Sequence, residues 1–430
     1  MKKNASLVIG ILLTLTVSAQ TPVYLYLASH NETNDQVYHG LNYGNAAHYA
    51  SIRGVVKSLC DTVVSLDAAY VMMVESNIIN ANLAHEAAAV NETDLLQWAD
   101  EQSQIDVEPH NHFVPLPGPA YNPYNYADLA YLLDSCGLAY PRRVMGGFIW
   151  RNFNSPAVSQ DWTQWQTPQP GHTYPHYSWQ PQIIWGGGSP GHINDYEAFG
   201  IWRPSAPTIA GFGMHNPGQP LVCLGGGCND GFVLWDTTTV DLLSNRVINL
   251  IQEMKSRNWP QDTFFSIKVM MNFRHFMSPG YVSKVAALIR NLEPYREAGD
   301  FEWKTINEIY AAWQEAHPSA ADYFIVSCDS MHISSAEPVV TGLQGHSNAY
   351  FTPLRVYPNP VSTMLYIDSE LSGVGEVLIT DARGIFRWRQ RIQALDSTVN
   401  VDVNNWSPGL YFVFIQNEKE VRQGRFIKGQ

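Results

Sequence analysis

Val23-Tyr24-Leu25-Tyr26-Leu27-Ala28-Ser29-His30-Asn31-Glu32 is the stretch on which the reading of the fold turns. Val23 to Leu27 is uncharged and apolar throughout, the mark of a strand buried on both faces. It runs directly into His30-Asn31-Glu32. In parallel α/β architectures, residues at the carboxyl ends of the strands collect into one site, so a His and a Glu there are well placed. The rhythm continues outward from this strand. Ala46 to Leu59 carries Ile52, Val55, Val56 and Leu59 at helical spacing. Asp94 to Gln102 predicts a short helix, Ile105 to Val107 a strand, and Tyr126 to Cys136 an amphipathic helix stopped by Gly137. Val144–Trp150, Pro181–Trp185 and Phe264–Asn272 read as strands, and Thr239–Lys255 and Tyr281–Leu292 as helices. Alternation of this kind predicts an α/β domain with a parallel sheet or barrel and outer helices. Residues 151–235 interrupt it with a Gly-, Pro- and Trp-rich segment, of the kind that builds functional loops.

The 430 residues suit one large domain and a smaller one. Hydrophobic residues at 45% supply a core, and charged residues at 15% argue against disorder. The net charge is −13, from 26 Lys and Arg against 39 Asp and Glu. The surplus of acid lies in the central part, because the amino-terminal segment is basic and the tail is balanced. That field disfavours nucleic acid and anionic membrane as partners. It suits neutral or cationic glycans and divalent metals.

Met1 to Ala19 reads as a signal peptide. Lys2 and Lys3 lead, Leu7 to Val17 is apolar, and Val17-Ser18-Ala19 offers small residues before a cut after Ala19. No later apolar run reaches the length of a membrane span, so no transmembrane helix is expected in the mature chain. The export route passes through an oxidising periplasm, where disulfides form. Of Cys60, Cys136, Cys223, Cys228 and Cys328, the pair Cys223 and Cys228 flanks Gly225-Gly226-Gly227 and could close a small loop.

After a polar linker at 334–352, the pattern from residue 353 to 430 becomes all-β. Leu365-Tyr366-Ile367, Val377-Leu378-Ile379, Val399-Asn400-Val401 and Tyr411 to Ile415 are short strands separated by turn residues, which predicts a small sandwich. With Tyr357-Pro358-Asn359-Pro360 at its opening, Asp381-Ala382-Arg383-Gly384 at a hairpin, Ser407-Pro408-Gly409-Leu410-Tyr411 and the Arg425-Phe426-Ile427-Lys428 ending, this tail closely resembles the type A sorting domains of type IX secretion. The resemblance implies the type IX machinery as a partner, and secretion or attachment at the cell surface.

The chemistry falls between these ends. Glu108-Pro109-His110-Asn111-His112 closes the strand at Ile105, and two histidines at i, i+2 on an extended segment point to one side. Imidazoles beside a carboxylate suit a divalent metal, with zinc favoured. Further along come Trp202-Arg203-Pro204, Leu234-Trp235-Asp236 and Asn272-Phe273-Arg274-His275-Phe276. In this order the sites resemble the five motifs of the polysaccharide deacetylase family, over about residues 22–315. That resemblance implies an irregular (β/α)7-type barrel over residues 20–333 and a glycan substrate. Glu32, His110 and His112 would hold the metal, Arg203 would orient a carboxylate, and His275 would act as general acid. Trp185, Trp202 and Trp235 would stack on sugar. Asn31 stands where the family has its base and cannot take a proton, so His30 or Glu108 is expected to substitute. Asp35 is a further possible ligand. Two other readings stay open: a non-catalytic glycan-binding protein on a degenerate barrel, and a glycosidase on the same fold.

Overall fold

A computed structural model describes residues 23–32, 38–86, 94–111, 123–148, 162–187, 197–335 except 208, 226, 229–231, 258, 260–262, 317–320 and 329, and then 354–368, 375–381, 386–392, 398–417 and 421–429. The expected signal peptide lies outside the described residues, as do positions 336–352 of the expected linker. In chain order the larger part runs β1 (Val23–Asn31), α1 (Ala46–Ser65), β2 (Tyr70–Val74), α2 (Ser76–His85), α3 (Leu95–Asp100), β3 (Ile105–Pro109), α4 (Tyr126–Ser135), β4 (Val144–Phe148), β5 (Gln169–Pro170), β6 (Ser178–Trp179), β7 (Ile183–Gly187), β8 (Ala198–Trp202), α5 (Ile209–Phe212), β9 (Val222–Leu224), β10 (Val233–Leu234), α6 (Val240–Ser256), β11 (Ser266–Met271), α7 (Tyr281–Glu297), β12 (Phe301–Trp303), α8 (Ile306–Ala316), β13 (Asp322–Ser327) and β14 (His332–Ser335).

The strands form two six-stranded sheets. In the first, the order is β10-β11-β1-β2-β3, all parallel, with β12 pairing beside β2 along the other edge of β1. In the second, β4, β7 and β9 are parallel, but β8 runs antiparallel to β9 and leads into antiparallel β13 and β14. A backbone bridge between His110 and Gly146 joins β3 to β4. The mixed α/β class therefore stands, while the pairings among the described residues do not close a (β/α)7 barrel. The reason is local: β8 returns antiparallel and takes the edge of β9 that another parallel strand would need. β14 continues this sheet to Ser335, two positions beyond the expected end of the domain at residue 333.

Strand alternation sorts the core. Val23, Leu25 and Leu27 of β1 join the cluster packed under α1, α6 and α7, whereas Tyr24, Tyr26 and Ala28 join a second cluster with Trp185, Ile201, Val222 and Leu224 of the other sheet. The second cluster is the space between the sheets. His30 has the parity of Tyr26 and Ala28 and so belongs to that inner side. Asn31 has the opposite parity. It is buried, and its Oδ1 accepts from Ser29 Oγ at 2.8 Å.

Cys228 bonds to Cys328, closing a loop of sequence separation 100, and Cys223 is a buried thiol outside the bridge. The short Cys223–Cys228 loop considered above is thus corrected. Cys223 faces the cluster of Trp202, Phe212 and Tyr323 from within β9, while Cys228 sits beyond the strand, in the core on the other side.

The tail contains β15 (Val356–Tyr357), β16 (Met364–Asp368), β17 (Gly375–Asp381), β18 (Phe386–Ile392), β19 (Thr398–Asp402), β20 (Gly409–Asn417) and β21 (Val421–Lys428). They make an antiparallel three-stranded sheet, β15-β16-β19, and a four-stranded one, β18-β17-β20-β21. Leu365, Ile367, Val399, Val401, Val377, Ile379, Tyr411, Val413 and Ile415 fill one core at period two. The Tyr-Pro-Asn-Pro opening has a structural task. Asn359 Nδ2 donates to Arg425 O at 3.1 Å and its Oδ1 accepts from Ile427 N at 2.9 Å, which pins the start of the tail to its last strand.

Because the Cys228–Cys328 bridge closes a long loop, replacing both cysteines with Ser should lower stability to urea by about 2–4 kcal/mol. Cys223→Ser should not reproduce that loss, and equal effects from the two would contradict the assigned pairing.

Candidate metal centre

The centre forms where β1 and β3 end. Their alternation brings His30, Glu32 and His110 to the inner side, and ligand-type atoms of all three lie within 4.8 Å of one another. Glu32 Oε1 is 3.7 Å from His30 Nδ1 and 3.6 Å from His110 Nε2. The two imidazoles stack with centroids 4.2 Å apart. A second ring this close disfavours an added proton on His30. Burial first, then the neighbouring His110, lowers the His30 pKa to about 3, against the pull of Glu32. A neutral imidazole is the form that ligates a metal.

The His110 ring is held from behind. His110 Nδ1 lies 3.0 Å from Gly146 O, and Tyr126 Oη donates to the same carbonyl at 2.7 Å. A proton on Nδ1 leaves Nε2 free to face Glu32, the tautomer a metal ligand needs. His30 Nε2 is buried without a hydrogen-bond partner among the described residues. An orphaned imidazole nitrogen, a fixed tautomer and a carboxylate fit a divalent cation. Gly147 explains the close approach. It has φ of +63°, and a Cβ there would lie 2.1 Å from His110 Cε1. The floor is Trp185, whose Nε1 donates to Tyr26 Oη at 2.7 Å and whose ring meets His30 at 5.3 Å.

The other expected residues distribute as follows. His112 and Asp35 lie outside the described residues. Glu108 is buried below the rim, where its carboxylate accepts from Arg143 N, Val144 N and Asn307 Nδ2 at 3.0, 3.1 and 2.9 Å. Burial, opposed by the Arg142 charge, pushes its pKa up to about 7. Those bonds tie β3 to β4 and α8. Arg203 follows β8, and Trp202 pairs with Cys223, so Arg203 comes level with the start of β9, the end away from the centre. Its guanidinium donates to Gln219 O at 2.6 Å and lies over Trp313. The antiparallel direction of β8 sends it there. Trp202 is fully buried against Phe212 and Tyr323, and Trp185 is fully buried as well, so neither offers an open ring face.

His275 and Trp235 do reach the rim, after the carboxyl ends of β11 and β10. His275 Nδ1 is 2.7 Å from Asp236 Oδ2, an ion-pair distance with the carboxylate off the N–H direction. Ser278 Oγ holds the same oxygen at 2.9 Å. Trp235 and Tyr38 present their rings to His275 at 5.8 and 6.2 Å, and both are exposed.

Two features escaped the sequence reading. Gly146-Gly147 in a strand signals close backbone approach. Glu75 extends β2 with the parity of Met73 and is buried. Burial first, and then the Glu75 charge, raise the Tyr126 pKa, so Glu75 lies near the Tyr126–Gly146–His110 chain.

Residues 355–429 match the family described as the secretion system C-terminal sorting domain. The tail is therefore a type IX sorting domain, which implies export, with release or attachment at the cell surface. No curated protein matches the chain. Among the described residues no helix is long and apolar enough to cross a membrane.

Gly147→Ala should displace the His110 ring. We expect a loss of about 1–3 kcal/mol in stability from the backbone strain, and a zinc affinity at least tenfold weaker, read by chelator competition. Unchanged affinity would place His110 outside any metal centre.

Proposed function

We propose that the part preceding the tail is a divalent-metal-dependent hydrolase acting outside the cell on an acyl group carried by a glycan, built on the plan of the polysaccharide deacetylases. The observation that carries this reading is the His30–Glu32–His110 group, with one imidazole fixed from behind and the other left with an orphaned nitrogen. The fold supports it. β10-β11-β1-β2-β3 and then β4-β7-β9 follow one another around the two sheets with their carboxyl ends on one side, as in an open, irregular barrel.

A bound zinc ion supplies Lewis acidity toward an acyl carbonyl and lowers the pKa of water. The chain's own residues do the rest. His275, with Asp236 at ion-pair distance, donates a proton to the departing oxygen or nitrogen. The rim position of Trp235 and Tyr38 shields that proton from bulk water. With Asn31 turned to the other face of β1, the alternation offers Glu75 as the carboxylate for the base. Cleavage after Ala19, residues 20–335 as the working domain, and 336–352 as the connection to the sorting tail complete the organisation. A second reading, a glycan-binding protein without turnover, is favoured by one observation: no acid stands at Asn31.

The purified chain should carry one zinc, lost in His110→Gln, and should release acetate from acetylated xylan or N-acetylchitohexaose. His275→Ala should retain the zinc while the rate falls by about two orders of magnitude or more. Stoichiometric zinc with no acetate released would favour the binding reading, and no zinc at all would refute the metal centre.

A further inference from the structure

On the other flank of the centre, beside β3, four tyrosines gather at the surface. Tyr124 stacks on Tyr174 with centroids 6.2 Å apart and planes 13° apart. Tyr131 of α4 meets Tyr174 at 4.6 Å, His176 at 5.1 Å and Tyr177 at 5.4 Å. Each tyrosine is half-buried, and Tyr124, Tyr131 and Tyr174 rest on the apolar core. Around them His172, Thr173, His176 and Asp134 are exposed.

The cluster is held rigidly. Asp128, fully buried, accepts backbone N–H bonds from Asn125 at 2.8 Å, His172 at 2.9 Å, Thr173 at 3.0 Å and Tyr174 at 2.8 Å. One carboxylate thereby caps α4 and clamps the 171–174 turn to it. A Cβ on Gly171 would come within 2.4 Å of Asp128 Oδ1, so the turn must pass this close. The turn closes through Gly171 N to Tyr177 O at 2.9 Å and Tyr177 N to Tyr174 O at 3.0 Å. The centre is adjacent, because Asn111, the neighbour of His110, donates Nδ2 to Tyr124 O at 2.7 Å.

We propose that Tyr124, Tyr131 and Tyr174 form a binding subsite for pyranose rings of a glycan chain that extends beyond the metal centre. The chemistry favours a sugar over a protein partner. Among the described residues the patch is made of tyrosine rings and polar side chains, with Pro123 and Pro175 as chain neighbours, where a protein-docking patch carries a hydrophobic core. Preformed aromatic area costs little side-chain entropy on binding. An apolar ring with a wet edge matches the C–H face and hydroxyl rim of a pyranose. Trp235 and Tyr38 lie at the opposite flank of the centre, so a ligand touching both flanks is a polymer of several units. The inference shares with the proposed function the placement of a ligand along this rim, but it does not require a bound metal.

The test uses the full chain and three probes, N-acetylchitohexaose, xylohexaose and cellohexaose, by isothermal titration calorimetry in EDTA and again with zinc chloride. At least one hexasaccharide should bind in both conditions. Tyr174→Ala and Tyr131→Ala should each weaken it about tenfold or more while the native circular dichroism spectrum and cooperative unfolding are retained, and Tyr174→Phe should stay within about threefold. No binding of any probe, or binding indifferent to both alanine variants, overturns the subsite. Tyr174-dependent binding of peptides without binding of any hexasaccharide overturns it too. Binding that persists in EDTA while the protein takes up no zinc would leave the subsite standing and remove the metal reading.

Discussion

The two sheets of the larger part meet where the backbone of His110 bridges to Gly146, and the same carbonyl of Gly146 faces the His110 ring at 3.0 Å. Structure and candidate chemistry therefore share one contact. The first sheet ends at β3, the second begins at β4, and the imidazole that joins them is also the one whose tautomer is set. Tyr126, at the first turn of α4, adds a second hydrogen bond to that carbonyl, and Gly147 supplies the space. A side chain at Gly147 would act on the sheet junction and on the ligand together, because a buried ring of fixed orientation has nowhere to move.

Much of this was legible because strands have period two. Val23 to Leu27 announced a strand buried on both faces, and the parity of that run alone assigns His30 and Glu32 to the inner side. The helices at Ala46, Tyr126, Val240 and Tyr281 followed from apolar spacing, with Gly137 as the stop of the second, and the structure adds the Asn125–Asp128 capping box. β2 was not read, since Tyr70-Val71-Met72-Met73-Val74 is an unbroken apolar run whose length and composition do not separate strand from helix. The direction of β8 was beyond reach for a different reason. Direction is a property of pairing, and a motif in sequence does not say which way its strand runs, so the sequence could not show that Arg203 comes level with the start of β9. The disulfide was misjudged for a related reason: nearness in sequence favoured Cys223 with Cys228, while the fold brings Cys328 to Cys228 across 100 residues.

The tail and the larger part place different demands on the chain. The tail is a sorting domain, and its Tyr-Pro-Asn-Pro opening serves to staple its first strand to its last through Asn359. Export accords with the disulfide, which an oxidising compartment sustains, and with the acidic surface of the central part, which suits solubility and cations more than polyanions. An acidic, exported domain with a His–Glu–His group and with aromatic residues on both flanks of it is consistent with work on an uncharged polymer outside the cell. Its departures are equally physical: Asn31 is committed to Ser29 on the helix side of β1, and Glu108 is committed to holding β3, β4 and α8 together.

The central claim is that His30, Glu32 and His110 hold one metal ion. It is tested most directly by a crystal structure of the zinc-loaded chain with anomalous data collected on both sides of the zinc edge. The account predicts a single strong peak at the rim, about 2.0–2.2 Å from a nitrogen of His30, Nε2 of His110 and an oxygen of Glu32. A peak bound elsewhere, or none at this position with zinc in excess, would contradict it.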